Sequence, residues 1–292
     1  MEYWSTDRIG HQEAAKTIPI NIDLVAPSVS ATVNPPGQNV GGDVWHNVFS
    51  TVSIAASDAQ SGILPGGTGR SIDGAPFAVY TAPFAVTGEG AHTVDYRIQD
   101  LAGNVTSGKQ LTVRVDTAPP VTSASLAGQT VRPGWYRSAV TVTLSASDAG
   151  VGIGPGGTLY RVNGSAPLAY AGPFILPGSA TYTVEYWSLD RLGNSEVHKT
   201  VAVNVDTVAP TITSAASPAG VDVGGGIWHN VIPTVTITAS DNLSGIVPAL
   251  TTRSINGGPF VLYAGPFTLP NGVHTVDFRT EDAAGNVAVG AQ

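Results

Sequence analysis

The chain has 292 residues, of which 42% are hydrophobic and 12% are charged, and its formal net charge at pH 7 is −8. This composition supports packed cores, and without a Lys/Arg run or a long apolar stretch it offers no basis for nucleic-acid binding or membrane insertion. Cysteine is absent, which excludes disulfides, thiolate metal sites and a cysteine nucleophile, and any export signal or anchor is expected outside this chain.

The first 23 residues duplicate a segment that lies much further along the chain. EYWSTDRIG at 2–10 matches EYWSLDRLGN at 185–194, and residues 2–23 align with 185–206 without a gap. We therefore expect 1–23 to form the last two strands of a repeat whose beginning is missing. The alternation in KTIPINID at 16–23 predicts that this segment lies as a strand in a sheet.

Three long repeats follow, and each begins at a similar junction. INIDLVAPSV at 20–29, VRVDTAPPVT at 113–122 and VNVDTVAPTI at 203–212 place an Asp at 23, 116 and 206, which gives spacings of 93 and 90 residues. Blocks of the forms ASD-x-x-x-GI, [DN]G-x-x-P, Y-x-[AG]PF and D-x-x-GN recur in the same order in every period. Such self-similarity over the whole chain indicates a tandem array.

Within each period the apolar residues alternate with polar ones, which is typical of half-buried strands. Val52, Ile54 and Ala56 show this period of two, and Asp73-Gly74 carries the signature of a tight hairpin, as do Asn163-Gly164 and Asn256-Gly257. No segment has a helical pattern of useful length. About seven short strands per period predict an all-β chain of tandem immunoglobulin-like antiparallel β-sandwiches, because β-propeller blades have about half this period.

The ordered blocks resemble the bacterial Ig-like repeats of large surface and secreted proteins, the type named after a leptospiral outer-membrane protein. That resemblance implies an extracellular or cell-surface module used as a spacer, stalk, adhesin segment or accessory domain of a secreted glycosidase. It does not imply catalysis, and the chain contains no catalytic sequence motif outside the repeated scaffold.

The resulting domain prediction has four parts. Residues 1–23 are the terminal F and G strands of an incomplete preceding repeat, and residues 24–116 are the first full Ig-like repeat. Residues 117–206 are the second repeat, and residues 207–292 are a third repeat that lacks most of its last strand.

Aromatic and histidine residues recur near the start of each repeat. Trp45, Trp135 and Trp228 are interpreted as cover for the sandwich end, with stacking on sugar rings as the alternative. His46 and His229 follow two of these tryptophans, but Tyr136 replaces them in the second repeat, so we expect packing rather than catalysis. His92 and His274 are expected at solvated or edge positions.

Carboxylates form the candidate site. In an Ig-like sandwich the B–C loop, the F–G loop and the incoming linker meet at one pole, so three Asp residues per repeat are expected to converge. Hard oxygen donors of this kind suit Ca²⁺, and the alternative is that each Asp only caps its own turn. The predicted metal ligands are Asp23, Asp58, Asp100, Asp116, Asp148, Asp190, Asp206, Asp241 and Asp282.

The sequence thus predicts a noncatalytic structural or adhesive rod in a bacterial cell-surface or extracellular fibre assembly. The alternative is a carbohydrate-binding or spacer module of a secreted polysaccharide-degrading enzyme. Expected partners are a second copy joined head to tail through donated strands, or further repeats of a longer array, with surface glycans as a possible ligand class.

Overall fold

The computed structural model describes all residues, Met1–Gln292. It is built almost entirely of antiparallel strands, with one short 3₁₀ turn at Pro248–Leu250, and it contains no helix whose length and hydrophobicity would let it cross a membrane. The chain divides into two compact units. The first comprises Met1–Pro119, Asp148–Gly152 and Asp190–Asn194, and the second comprises Pro120–Ser147, Ile153–Leu189 and Ser195–Gln292.

Repeat 1 is a sandwich of two sheets, with strand orders β3-β6-β9 and β4-β5-β11-β10-β7-β8. Its core contains Val52, Val94, Val113 and Val115, which are fully buried because alternate residues of each strand face inward. The strands are β3 (Ser28–Asn34), β4 (Gln38–Val40), β5 (Asp43–His46), β6 (Thr51–Ser57), β7 (Gly69–Ile72), β8 (Ala78–Val79), β9 (Phe84–Ala85), β10 (Gly90–Gln99) and β11 (Val105–Val115).

Repeat 2 has the same two-sheet arrangement, with orders β12-β13-β16 and β15-β14-β17-β18. Tyr186 faces inward, and its ring is buried in the largest core cluster of the chain. The strands are β12 (Val121–Ala127), β13 (Val140–Ser147), β14 (Ile153–Val162), β15 (Leu168–Ala169), β16 (Phe174–Leu176), β17 (Ala180–Asp190) and β18 (Lys199–Val205).

Repeat 3 contains sheets of order β19-β22-β25 and β24-β23-β26-β27, with a separate hairpin β20-β21. The predicted sandwich architecture is therefore confirmed in all three repeats. The strands are β19 (Thr211–Ser217), β20 (Val221–Val223), β21 (Gly226–Trp228), β22 (Thr234–Ser240), β23 (Thr252–Ile255), β24 (Val261–Leu262), β25 (Phe267–Thr268), β26 (Val276–Glu281) and β27 (Val287–Ala291).

The three predicted hairpins are confirmed by their backbone angles. Asp73, Asn163 and Asn256 have φ values of 51°, 51° and 53°, and each is followed by a glycine that also has positive φ. Two consecutive residues in this region are what a type I′ turn requires. Counted from these turns, Arg70 corresponds to Tyr160, so an alignment that matches Arg70 with Arg161 is shifted by one residue.

The shift changes which side chain covers the core aromatic. Arg70 lies 4.0 Å from the Phe84 ring centroid in repeat 1, whereas Tyr160 stacks on Phe174 at 4.1 Å in repeat 2. Arg161 therefore faces the other way and binds Glu185. One residue along a strand reverses the face, which explains why a one-residue alignment error inverts the role of a side chain.

The terminal segment forms a small hairpin of strands Glu2–Tyr3 (β1) and Lys16–Thr17 (β2). Its pairs Glu2↔Thr17 and Tyr3↔Lys16 are those expected from Glu185↔Thr200 and Tyr186↔Lys199 of repeat 2. Of the predicted strand 16–23, only Lys16–Thr17 are assigned to a strand, and Ile18 exchanges backbone hydrogen bonds with Met1. Residues 19–23 have no sheet beside them in this chain, so the prediction that a neighbouring repeat supplies one stays a prediction.

Candidate metal centres

The structure brings the nine predicted carboxylates together in three clusters of three. Within each cluster, one ligand atom from every Asp lies within 4.8 Å of the other two. The clusters are Asp23 with Asp58 and Asp100, Asp116 with Asp148 and Asp190, and Asp206 with Asp241 and Asp282.

Three separate segments build the first cluster. Asp23 precedes strand β3, Asp58 directly follows the last residue of β6, and Asp100 directly follows the last residue of β10. Since β6 and β10 end at the pole where the chain enters repeat 1, the fold itself converges these side chains. Asp100 is buried there, while Asp23 and Asp58 remain partly exposed.

Each carboxylate also binds backbone N–H groups of a turn, which is the capping role that the sequence left open. In the first cluster the bonds are Gln60 N to Asp58 Oδ1 (3.0 Å), Gly62 N to Asp58 Oδ1 (2.8 Å), Asn104 N to Asp100 Oδ1 (2.8 Å) and Ser61 N to Asp23 Oδ2 (2.9 Å). These bonds hold both loops around the cluster. Contacts with Ser61 and with the N–H of Val25 lower the pKa of Asp23.

The second cluster has a linker carboxylate that is almost inaccessible to solvent, as the third cluster also has. Asp116 is buried, and its Oδ2 accepts a bond of 2.7 Å from Val151 N. A Cβ added to Gly150 would lie 2.0 Å from the same oxygen, so only glycine fits there. Burial raises the pKa of Asp116, and the negative charges of Asp148 and Asp190 raise it further.

In the third cluster the pKa of the linker carboxylate shifts in the opposite direction. Burial alone would raise the pKa of Asp206, but contacts with Ser244 and the N–H of Val208 reverse the effect and lower it. Asp241 Oδ1 is a buried atom without a hydrogen-bond partner. Buried polar atoms are rarely left unpaired, so this atom fits a site that receives a further ligand.

An asparagine joins the linker to each cluster, and sequence reasoning missed this role. The Nδ2 group of Asn104, Asn194 and Asn286 donates to the backbone oxygen of the linker residues Asp23, Asp116 and Asp206, at 3.1, 2.8 and 2.9 Å. The same amide also binds the carboxylate of the F–G turn. The recurring D-x-x-GN block was the available signal, because it keeps this spacing in every period.

Taken as chemistry, each cluster offers hard carboxylate oxygens and no sulfur or imidazole. Ca²⁺ takes six to eight oxygen ligands, and three carboxylates supply part of such a set. Asp241 has a buried oxygen without a partner, and the pKa of Asp116 is raised by burial and by the like charges of its neighbours. A bound cation would satisfy that oxygen and offset the like charges. The residues present therefore fit a calcium ion.

The three tryptophans that were predicted to cover the end of each sandwich differ in their exposure to solvent. Trp45 and Trp135 are half-buried, and β5 pairs in parallel with β11 through Trp45 and Arg114. Trp228 is 58% exposed, because hairpin β20-β21 pairs only with itself. The cover prediction is therefore wrong for Trp228.

The histidines also differ from one another. His46 is buried, and its backbone oxygen accepts the N–H of Asp116 at 2.9 Å, in line with the expected packing role. His92 was expected at a solvated or edge position; its side chain is 15% exposed, and its Nδ1 lies 2.8 Å from Asp73 Oδ2. This pair raises the pKa of His92, with the Asp73 carboxylate as the main cause.

Comparison with known proteins yields weak likenesses only. No family model and no curated protein matches the chain. Among solved structures, fibronectin(III)-like modules of Clostridium thermocellum CbhA match at 14% identity and a TM-score of 0.27, over 61% of this chain and 94% of that one.

Two further structures match at 14% identity. A 1.5-MDa bacterial ice-binding adhesin gives a TM-score of 0.33 over 92% of this chain and 97% of that one. Dimeric latent PorU from Porphyromonas gingivalis gives 0.24 over 91% of this chain and 33% of that one. At these scores the likenesses say nothing about function. Since no family model matches the chain, the leptospiral repeat type named above is not confirmed.

Proposed function

We propose that this chain is a noncatalytic structural or adhesive tandem of Ig-like domains in a bacterial cell-surface or extracellular assembly. The observation that carries the proposal is that the same linker, B–C loop and F–G loop rebuild one carboxylate cluster at the start of every repeat. A feature reproduced in each repeat serves the connection of repeats, since an enzyme has little use for three copies of one site.

Each cluster is proposed to bind one Ca²⁺ ion. The ion would offset most of the negative charge of three carboxylates and join the incoming linker, through Asp23, Asp116 or Asp206, to two loops of the following repeat. A linker held in this way bends less, which suits a stalk or fibre. The structural function itself does not depend on calcium, because the asparagine bonds to the linker are already present.

The test is calorimetry of the full chain in EDTA and in millimolar Ca²⁺, with titration calorimetry to count ions. A ligand that binds only the folded state raises the unfolding temperature by mass action, so Ca²⁺ should shift the transitions upward. Asp241→Asn should remove one of three bound ions. Asp222→Asn is the matched control, because Asp222 caps a turn in the same repeat outside any cluster. Identical melting curves would leave the clusters as turn caps alone.

The segment after the first hairpin supports a neighbouring repeat as partner. Ile18, Ile20 and Ile22 are 49%, 63% and 70% exposed, whereas the aligned Val203 and Val205 of repeat 2 are fully buried. Such an alternating apolar strand needs a sandwich to cover it. We infer that a neighbouring repeat covers it, either in the same polypeptide or in a second copy joined head to tail.

The mass of native material after boiling in denaturant separates these two partners. A species near 29.8 kDa would indicate separate chains that exchange strands, and a much larger species would indicate one long array. Replacing Ile20 and Ile22 with Asp should abolish assembly in the first case. Unchanged assembly of that variant would contradict strand exchange.

A carbohydrate-binding role remains the second candidate because of one surface. Trp228 and its cross-strand partner Val221 are both exposed on hairpin β20-β21, as a platform for sugar stacking would be. A polysaccharide pull-down with Trp228→Ala tests it, with Trp135→Ala as the half-buried control. Binding that is lost only in Trp228→Ala would favour this candidate.

A further inference from the structure

Repeat 2 carries a loop that contacts the F–G turn of repeat 3. The loop, residues 128–134, is the first part of the connection from β12 to β13, and the turn, residues 281–285, comprises the last residue of β26 and the start of the connection to β27. Both segments belong to the second compact unit of the chain. Their contact lies beside the third carboxylate cluster but uses different atoms from the carboxylate oxygens of that cluster.

Arg132 makes the polar part of this contact. Its Nη1 donates to the backbone oxygen of Asp282 at 2.9 Å, and its Nη2 donates to Glu281 Oε1 at 2.7 Å. The side chains of Arg132 and Glu281 are 31% and 23% exposed, so the pair is partly shielded from water. Charge-assisted bonds in such a setting are stronger than those of a solvated surface pair.

Val131 makes the apolar part. A Cβ added to Gly285 would lie 2.6 Å from Val131 Cγ2, which shows that the valine sits directly against the bare glycine backbone. Gly285 also has a φ of +96°, a conformation that favours glycine. The loop and the turn therefore fit each other in shape as well as in charge.

The corresponding loops of the other repeats have no such side chains. Counting from Trp45 and Trp228, the positions of Val131 and Arg132 are occupied by Gly41-Gly42 and Gly224-Gly225. Those glycines form tight turns capped by Asn39 and Asp222, whose side chains accept the N–H of Gly42 and Gly225. Within these three repeats, only repeat 2 presents a cation at this point.

Likewise, among the three repeats only repeat 3 has a carboxylate at the position that binds Arg132. Counting from the Asp of each D-x-x-GN block, Glu281 corresponds to Gln99 in repeat 1 and to Leu189 in repeat 2. Repeat 2 also has Arg191 directly after its Asp, where repeat 3 has Ala283. An arginine approaching the turn of repeat 2 would meet no carboxylate before the Asp and a like charge after it.

We propose that Val131 and Arg132 form a recognition surface for the F–G turn of the following repeat. The partner that fits is a turn with a carboxylate directly before its Asp and a glycine three residues after that Asp. This surface selects repeat 3 as the neighbour of repeat 2 and holds the junction in one geometry. It goes beyond the proposed function, because the contact needs neither a cation nor a particular biological assembly.

A charge-reversal cycle in the full chain tests the proposal. The variants are Arg132→Glu, Glu281→Arg and the double variant, with Arg137→Glu as the matched control, since Arg137 is exposed near the same loop. The readouts are residual dipolar couplings of repeats 2 and 3 and the rate of thermolysin cleavage in the linker 207–210. Far-UV circular dichroism checks folding, and Arg132→Gln provides a milder variant.

Each single reversal should increase linker cleavage about tenfold, since bonds to charged groups contribute that much to an equilibrium. The two repeats should then report different alignment tensors, and the double variant should restore part of the wild-type behaviour, since the ion pair returns but the bond to the backbone oxygen of Asp282 does not. Arg137→Glu should behave as wild type. The proposal is overturned if Arg132→Glu and Arg137→Glu give the same rates and couplings, or if the double variant restores nothing.

Discussion

The second and third carboxylate clusters have aspartates at the same three positions of the repeat, yet the pKa of the linker carboxylate is raised in the second cluster and lowered in the third. Asp116 lies against Gly150 and Val151, and its pKa is raised by burial and by its neighbours. Asp206 lies against Ser244, and its pKa is lowered. The shared motif brings the charges together, whereas two variable loop positions decide how well each charge is stabilised.

The two sandwiches differ in their cores as well. The core cluster of repeat 2 contains Val203 and Val205 from β18, whereas the buried core cluster of repeat 3 contains only Ile237, Val276 and Phe278. Strand β27 contributes no residue to it. The last strand of a sandwich therefore supplies a large part of the apolar area that stabilises the repeat.

Position along the last strand explains part of this difference. Val289 of β27 is 76% exposed, and Val197, its counterpart when both repeats are counted from the Asp of the D-x-x-GN block, is 86% exposed. The buried Val203 and Val205 lie further along β18, beyond the positions that β27 contains. Two strands with the same alternation therefore contribute differently because they contain different parts of the repeat.

The largest expected effect is in the cores. Tyr186→Ala should reduce the free energy of unfolding of repeat 2 by about 3 to 5 kcal/mol, because it removes a buried ring. Phe278→Ala in repeat 3 should cost about 1 kcal/mol less, since the smaller core around it relaxes more easily. Urea denaturation followed by residue-specific NMR signals measures both. Equal losses would remove the distinction between the two cores.

A smaller effect is expected where Asp116 meets the loop. Gly150→Ala should destabilise repeat 2 by about 1 to 3 kcal/mol, because the new methyl group displaces the carboxylate from Val151 N. Gln60→Ala is the matched control at the equivalent, exposed position of repeat 1, with an expected change within about 0.5 kcal/mol. Thermal unfolding in EDTA compares them, and a neutral Gly150→Ala would contradict the tight contact.

The two linker carboxylates should respond to acid with opposite signs. The folded pKa of Asp206 lies below its unfolded value, so its contribution is present above that value and is lost as pH falls through the folded pKa. The folded pKa of Asp116 lies above its unfolded value, so its contribution is complete below the unfolded value and is lost as pH rises through the folded pKa.

Asp206→Asn should therefore lower stability at pH 7 and flatten the acid limb of the profile. Asp116→Asn should leave stability at pH 7 unchanged or raise it. Unfolding temperatures between pH 2.5 and 7 in EDTA provide the measurement. A loss of similar size in both variants would show that the two clusters are electrostatically alike.

The smallest expected effect comes from exchanging the loop residue that lies next to the linker carboxylate, Val151 in repeat 2 and Ser244 in repeat 3. Val151→Ser should lower the pKa of Asp116 toward that of Asp206, and Ser244→Val should raise the pKa of Asp206. The physical reason is that a serine next to the carboxylate supplies a hydroxyl dipole that favours the charged form. Carbon-13 carboxyl titrations in metal-free protein report both values. An unchanged pKa in both variants would assign the difference to burial alone.

Several local features could be predicted from sequence because each has a short-range physical cause. Asp73-Gly74 requires positive φ, and so it predicted a hairpin that the structure contains. The recurrence of Asp58 and Asp100 at strand ends predicted their convergence, since strand direction decides which loops share a pole. Alternating valines likewise predicted the inward face of each sandwich.

Other features escaped the sequence because they depend on residues distant in the chain. The strand predicted over 16–23 needs a sheet beside it, and only Lys16–Thr17 have one. Trp228 was expected to cover its sandwich end as Trp45 does, but hairpin β20-β21 pairs with no other strand. The bond from Arg132 to Glu281 joins residues 149 positions apart and has no sequence pattern of its own.

By itself, the sequence determined the strands, the tight turns and the sets of residues that share a pole, because these follow from backbone conformation and from alternation along a strand. Only the tertiary structure decided the register of β27, the opposite pKa shifts of Asp116 and Asp206, and the contact of Arg132 with repeat 3. Those properties depend on burial and on distances of a few ångströms between segments far apart in the chain, and such distances exist only after the sheets have packed.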